Sequence, residues 1–78
     1  MAVAAYVLIQ TEIGRAFHVA EALRASDGVI SADAVAGPYD VFVMAQAPSL
    51  DELGRLVVSS IQTVDGITRT LTCPIVKL

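Results

Sequence analysis

The chain reads as one α+β domain made of two similar halves, each a strand, a helix, an Asp-Gly turn and a second strand. Three observations carry this reading. Shifted by 38 residues, the chain aligns with itself without a gap: Val3 falls on Val41, Leu23 on Ile61, and Asp27-Gly28-Val29 on Asp65-Gly66-Ile67. A repeat of this kind fixes the architecture ahead of any single element. Each half opens on an apolar run with the length and β-branched content of a strand, and the stretch after Ser49 carries apolar residues at helical spacing. Two tandem βαβ units predict a ferredoxin-like βαββαβ sandwich with a four-stranded antiparallel sheet. Both helices then lie on one face, because both crossovers are right-handed.

The first strand is expected over Val3 to Gln10, with Val3, Ala5, Val7 and Ile9 on one face and Ala4, Tyr6 and Leu8 on the other. Both faces are apolar, which asks for cover on both sides. The first helix is expected over Gly14 to Ala25, burying Phe17, Ala20 and Leu23. The second strand, Val29 to Ala36, carries Ser31 and Asp33 on one face. After it, Gly37-Pro38-Tyr39-Asp40 forms a turn, since Gly-Pro punctuates a chain, and it leads into the apolar third strand, Val41 to Ala47.

Pro48-Ser49-Leu50-Asp51-Glu52 opens the second helix, with Ser49 and Glu52 in capping-box positions. Leu50, Leu53, Gly54, Val57, Val58 and Ile61 make one apolar stripe, and Gly54 on it suggests a close approach to the sheet. The fourth strand, Ile67 to Ile75, has Thr68, Thr70 and Thr72 on one face and Arg69 on the other. The two polar strands suit the sheet edges. The first and third are expected at the centre, running parallel to each other. Gly28 and Gly66 sit where left-handed C-terminal caps belong.

Composition bounds the function. Seventy-eight residues make a single domain, residues 1–78, and a globule of this mass buries only about 60% of the surface its unfolded chain exposes. Chains this small often need a disulfide, a metal or a partner. Cys73 is the one cysteine and lacks metal-ligand spacing with His18, so no internal disulfide forms and no metal or other cofactor is expected. A partner chain remains. The chain is 55% hydrophobic and 17% charged, and two helices cover one sheet face, so a second copy is expected to cover the other, giving a homodimer packed sheet to sheet. Five basic residues against eight acidic, net −3, oppose direct nucleic-acid binding. No apolar run reaches the roughly 18 residues of a membrane helix, and Met1 to Ile9 lacks a basic segment before it. A cytoplasmic protein with a free thiol is expected.

Few side chains suggest chemistry. His18 and Glu21 read as a solvated helix pair, and Cys73 as a small buried hydrophobe. Asp51 and Glu52 suit a helix start, and Asp27 and Asp65 suit turns before glycine. The Thr68, Thr70 and Thr72 ladder fits β-propensity, or hydrogen bonding to a polar ligand at a subunit junction. No phosphate loop or triad is present, so an enzyme is not expected. The Gly37 to Asp40 turn places an aromatic ring and a carboxylate at a strand mouth, either as ordinary turn chemistry or as part of a small-molecule site.

Two segments carry a family resemblance. Gly37-Pro38-Tyr39-Asp40-Val41-Phe42-Val43 resembles the loop and strand of the effector-binding RAM domain of the Lrp/AsnC transcription regulators. Asp65-Gly66-Ile67-Thr68-Arg69-Thr70-Leu71-Thr72 resembles that domain's Gly-Val-x-Arg-Thr-x-Thr last strand. The Leu-Asp-Glu-Leu start of the second helix lies between them at the family spacing. The resemblance covers Val3 to Val76. It implies sheet-packed dimers that join into rings, commonly octamers, and amino-acid effectors bound where dimers meet. Gly37, Tyr39 and Asp40 are then ligand-binding residues, Asp40 meeting the ammonium and backbone N–H groups near Gly37 the carboxylate. Thr70 and Thr72 would contribute from a neighbouring subunit.

The sequence departs from the family in two ways. The regulators carry a helix-turn-helix before this domain, whereas here Met1 leads almost directly into the first strand, so a stand-alone unit is expected, one that can partner a full-length Lrp/AsnC regulator. Pro38 stands where the family often has an N–H-bearing residue, and proline removes that donor. The expected function is amino-acid sensing coupled to assembly. The alternatives are a small dimeric enzyme of the cofactor-free oxygenase or isomerase kind, with a pocket lined by His18, Tyr6 or Cys73, and a purely structural oligomerisation module.

Overall fold

The computed structural model describes residues 2–76. Six elements follow in the expected order: β1 (Val3–Thr11), α1 (Ala16–Arg24), β2 (Val29–Ala34), β3 (Val41–Ala47), α2 (Leu50–Leu56) and β4 (Ile67–Pro74). The sheet order is β2-β3-β1-β4, which puts the two most apolar strands at the centre and the two polar ones at the edges. Every neighbouring pair is antiparallel. The central pair, β1 and β3, therefore runs antiparallel, not parallel as expected. Each βαβ crossover keeps its own two strands parallel, but the short β2–β3 connection reverses the chain, so β3 opposes both β1 and β2.

Register sorts the side chains onto two faces. Ile9 pairs with Val41 on one side and Thr70 on the other, and Val7 pairs with Val43 and Thr72. These rows face the helices. Ala5, Val7, Ile9, Val41, Val43 and Ala45 are fully buried there, against Val19, Ala20 and Leu23 of α1 and Leu53 of α2. The rows between them form the outer face, where Cys73, Tyr6 and Met44 line up beside Leu71, Leu8 and Phe42. Tyr6, Phe42 and Leu71 are nearly half exposed on it. Cys73 is exposed on this face, not buried as expected, because the alternation that turns Thr70 and Thr72 inward turns residue 73 outward.

The helices correct three further expectations. α1 buries Val19, Ala20 and Leu23, while Phe17 is 81% exposed. The helix begins at Ala16, later than expected, and its buried stripe is one residue out of step with Phe17. In α2 the apolar arc is split: Leu53 is buried, whereas Leu50 points to solvent. Gly54 approaches nothing, since a Cβ built on it would find no atom within 4 Å. After Leu56 the helix widens into a π-helical turn, Val57–Ile61, closed by a 2.8 Å bond from the Gln62 N–H to the Val57 carbonyl. The wider turn keeps Val57 and Ile61 buried while Val58 faces out.

The N-cap of α2 follows the sequence, but Gly28 and Gly66 are not the C-caps expected: α1 ends on Ala25 and the π-helical turn on Gln62, both right-handed, because each helix stops before its Asp-Gly turn. Ser49 is the N-cap of α2, and its hydroxyl accepts from the Glu52 N–H at 3.2 Å. The Glu52 carboxylate reaches the Ser49 hydroxyl at 3.5 Å. Both Asp-Gly turns place glycine at positive φ, +86° at Gly28 and +101° at Gly66. The Gly28 turn is pressed against α2: a Cβ there would meet Leu56 Cδ2 at 2.8 Å and the Gln46 carbonyl at 3.1 Å.

Candidate functional site

The β2–β3 connection holds Gly37, Pro38, Tyr39 and Asp40 at the end of the sheet where β1 and β2 finish and β3 begins. Four hydrogen bonds tie it down. The Asp40 N–H donates to the Ile9 carbonyl at 2.8 Å, and the Asp40 carbonyl accepts from the Val35 N–H at 2.9 Å. The Asp40 carboxylate accepts from the Thr11 N–H at 2.8 Å through Oδ2. The Pro38 carbonyl accepts from the Gln10 side-chain amide at 3.2 Å. The carboxylate thus stands in for a backbone acceptor just before the β1–β3 ladder begins. Oδ1 takes no hydrogen bond among the described residues. Gly37 and Pro38 are exposed, and Tyr39 and Asp40 are half-buried.

Thr70 and Thr72 lie elsewhere. Both sit on β4, on the helix-facing side, paired with Ile9 and Val7. Ile9 is flanked by Val41 at the foot of the loop and by Thr70 on the opposite side, so β1 separates the two groups. Within one chain the structure gathers Gly37, Tyr39 and Asp40 and leaves Thr70 and Thr72 across the central strand. Thr70 accepts from the Gln62 amide at 2.9 Å. These two residues share a shallow polar cleft of about 240 Å³ with Ile67, Thr68 and Arg69.

Sequence reasoning did not single out Gln10, Thr11 or Gln62. Gln10 and Thr11 are the polar end of an otherwise apolar strand, which marks where β1 leaves the core and its backbone needs new partners. Gln62 directly follows the π-helical turn and reaches Thr70 of β4. The bulge between Gln10 and Thr11 against β4 has no clear sequence signal.

The residues named for an enzyme do not converge. His18 is exposed on α1, on the helix side of the sheet, while Tyr6 and Cys73 pair on its outer face. The described residues hold no cluster of three or more His, Cys, Asp or Glu side chains placed to bind a metal. No helix among them is long and apolar enough to cross a membrane. A groove of about 490 Å³ opens at the far end of the sheet, lined by Ala2, Gly28, Val29, Ile30, Gln46 and Pro48 among others.

Comparison with known proteins gives this geometry a family. TTHA0845 from Thermus thermophilus superposes with a TM-score of 0.90 at 28% identity, covering 97% of this chain and 95% of that one. AsnC from E. coli superposes with a TM-score of 0.89 at 25% identity, over 97% of this chain but 52% of the regulator. The regulator NMB0573 from Neisseria meningitidis, solved as a complex with L-Met, shares the fold with a TM-score of 0.83 at 17% identity, over 96% of this chain and half of that one. In sequence, the HTH-type transcriptional regulator PH1916 of Pyrococcus horikoshii, itself uncharacterised, is 31% identical over 55 residues. That match takes in 70% of this chain and 37% of the regulator. The description of the Lrp/AsnC ligand binding domain matches residues 4–77, nearly end to end. The four-stranded antiparallel sheet and the two helices are those of this domain, and the chain belongs to the Lrp/AsnC ligand-binding-domain family.

Proposed function

We propose that this chain senses an amino acid and couples its binding to assembly. Membership of a ligand-binding-domain family carries the reading. An amino acid is the ligand class that the resemblance implies, and one protein of this fold has been solved with L-Met. In this reading the loop of Gly37, Tyr39 and Asp40 is one half of the site. Thr70 and Thr72, which lie across β1 in the same chain, belong to the half supplied by another subunit. Such a divided site links ligand to assembly through population shift, because the ligand favours whichever assembly completes its contacts.

The loop suits the task in a specific way. Three hydrogen bonds to its backbone and one to the Asp40 carboxylate hold it in place, so little ordering remains to oppose binding. Asp40 offers one carboxylate oxygen, Oδ1, to an ammonium group. Pro38 offers no N–H, so any carboxylate must find its donors at Gly37 and Tyr39. First-level assembly is a dimer through the outer sheet face, whose Tyr6, Leu8, Phe42, Met44 and Leu71 form a continuous apolar surface. Dimers then join into a ring, the octamer being the common family form, or with a full-length Lrp/AsnC regulator. The unit acts without chemistry and without a cofactor.

Melting the chain against each of the twenty amino acids at millimolar concentration tests this. A ligand at a hundred times its Kd stabilises by about 2.7 kcal/mol, a rise on the order of 10 °C in Tm for a domain this small. At least one amino acid should give such a rise, and Tyr39→Ala should remove it. A flat response to all twenty contradicts the proposal.

A further inference from the structure

The outer side of α2 carries an apolar strip that no part of the same chain covers. Leu50, Gly54 and Val58 recur at i, i+4 and i+8, and Leu50 and Val58 are 60% and 62% exposed. Gly54, between them, has open space above it. An open cleft of about 610 Å³ runs along the strip, lined by Asp51, Gly54, Arg55, Val58 and Ser59. The fold of one chain does not require it, since Leu53, Val57 and Ile61 already hold the helix to the sheet. Two branched side chains exposed two turns apart, with a glycine between them, leave a groove that a close neighbour can enter.

The flank of the strip identifies that neighbour. Asp51 and Arg55 lie one turn apart on the same side, and neither joins an ion pair among the described residues. Two copies of this helix packed antiparallel about a two-fold axis near Gly54 match each other. The absent side chain lets the backbones approach, Leu50 meets the partner subunit's Val58, and Asp51 meets the partner subunit's Arg55. A two-fold contact uses one patch twice, so each pairing occurs in both directions. A parallel arrangement would instead set like charges together.

We infer that α2 packs against α2 of a second copy of this chain, joining one sheet-packed dimer to the next. The inference rests on the sheet-dimer reading above. One crossing of two short helices buries far less than the roughly 1,600 Å² of a standard interface. It is weak alone and becomes effective when the sheet dimer already carries two such strips, the second contact then forming at high effective concentration.

Sedimentation velocity on the full chain tests it. The wild type should sediment as a species larger than a dimer. Val58→Asp and Gly54→Gln should each give plain dimers with unchanged circular dichroism. Asp51→Arg and Arg55→Asp should each weaken the larger assembly by about tenfold, and the double exchange should restore it, as expected for a close charge pair across an interface. Wild-type mass in both Val58→Asp and Gly54→Gln overturns the inference, as does a wild type that stops at the dimer. The Phe42→Asp chain reads the other interface separately: it should lose the sheet dimer, and retention of that dimer overturns the sheet reading instead.

Discussion

Asp40 has two claims on it, one from the fold and one from the proposed ligand. Its carboxylate accepts the Thr11 N–H at 2.8 Å where no backbone acceptor of β3 is in place. Asp40→Ala should therefore lower stability by about 1–2 kcal/mol, the cost of leaving a half-buried donor unpaired. Chemical denaturation reads this directly, and Asp40→Asn, which keeps an acceptor, should recover most of it. Gly28 is constrained by both conformation and space: its φ is +86° and a Cβ would meet Leu56 and the Gln46 carbonyl. Gly14 shares the positive φ, +80°, but has nothing within 4 Å. Gly28→Ala should cost more than Gly14→Ala in a thermal melt, the latter carrying only the backbone strain of about 1–2 kcal/mol. At this scale the sequence revealed the kind of residue but not its partner. Asp40 was readable as a turn carboxylate at a strand mouth, whereas its bond to Thr11 depends on how β1 ends against β3, a contact across 29 positions.

Among the elements, α2 shows most clearly what periodicity can and cannot say. Its start was legible, since Ser49 caps the Glu52 N–H, and Ser49→Ala should cost about 1 kcal/mol. The width of its apolar arc was legible too. Its division was not: the arc spans Leu50 to Ile61, but the sheet receives Leu53, Val57 and Ile61 while Leu50, Gly54 and Val58 face out. The π-helical turn at Val57–Ile61 shifts the phase beyond what a 3.6-residue period predicts. In the Val58→Asp chain, whose α2 helices stay apart, Gly54→Ala should raise stability by about 0.5–1 kcal/mol, because within one chain the space beside it accepts a methyl group and alanine is the better helix former. A fall in Tm there would mean that Gly54 touches something within its own chain. In α1 the same limit appears as Phe17, apolar in type yet exposed, because the stripe that buries Val19, Ala20 and Leu23 runs on through Ala16, one residue before Phe17.

For the whole molecule, the repeat revealed the architecture and the alternation revealed both sheet faces. The relative direction of β1 and β3 follows from the reversal at the β2–β3 connection and not from either strand's composition, and the expectation that they run parallel overlooked that reversal. The proposed site was half legible for a related reason: Gly37 to Asp40 are contiguous, but Thr70 and Thr72 stand across β1, and in the proposal they meet the loop of another subunit. The account's central claim is that ligand binding and assembly are one equilibrium. Solution mass by light scattering, with and without the amino acid that raises Tm most, tests it most directly. The account predicts a self-associated chain whose mass distribution shifts toward a single closed assembly when the amino acid is present, with the shift abolished by Tyr39→Ala. A chain that is monomeric throughout, or whose mass is the same with and without a bound amino acid, would contradict it.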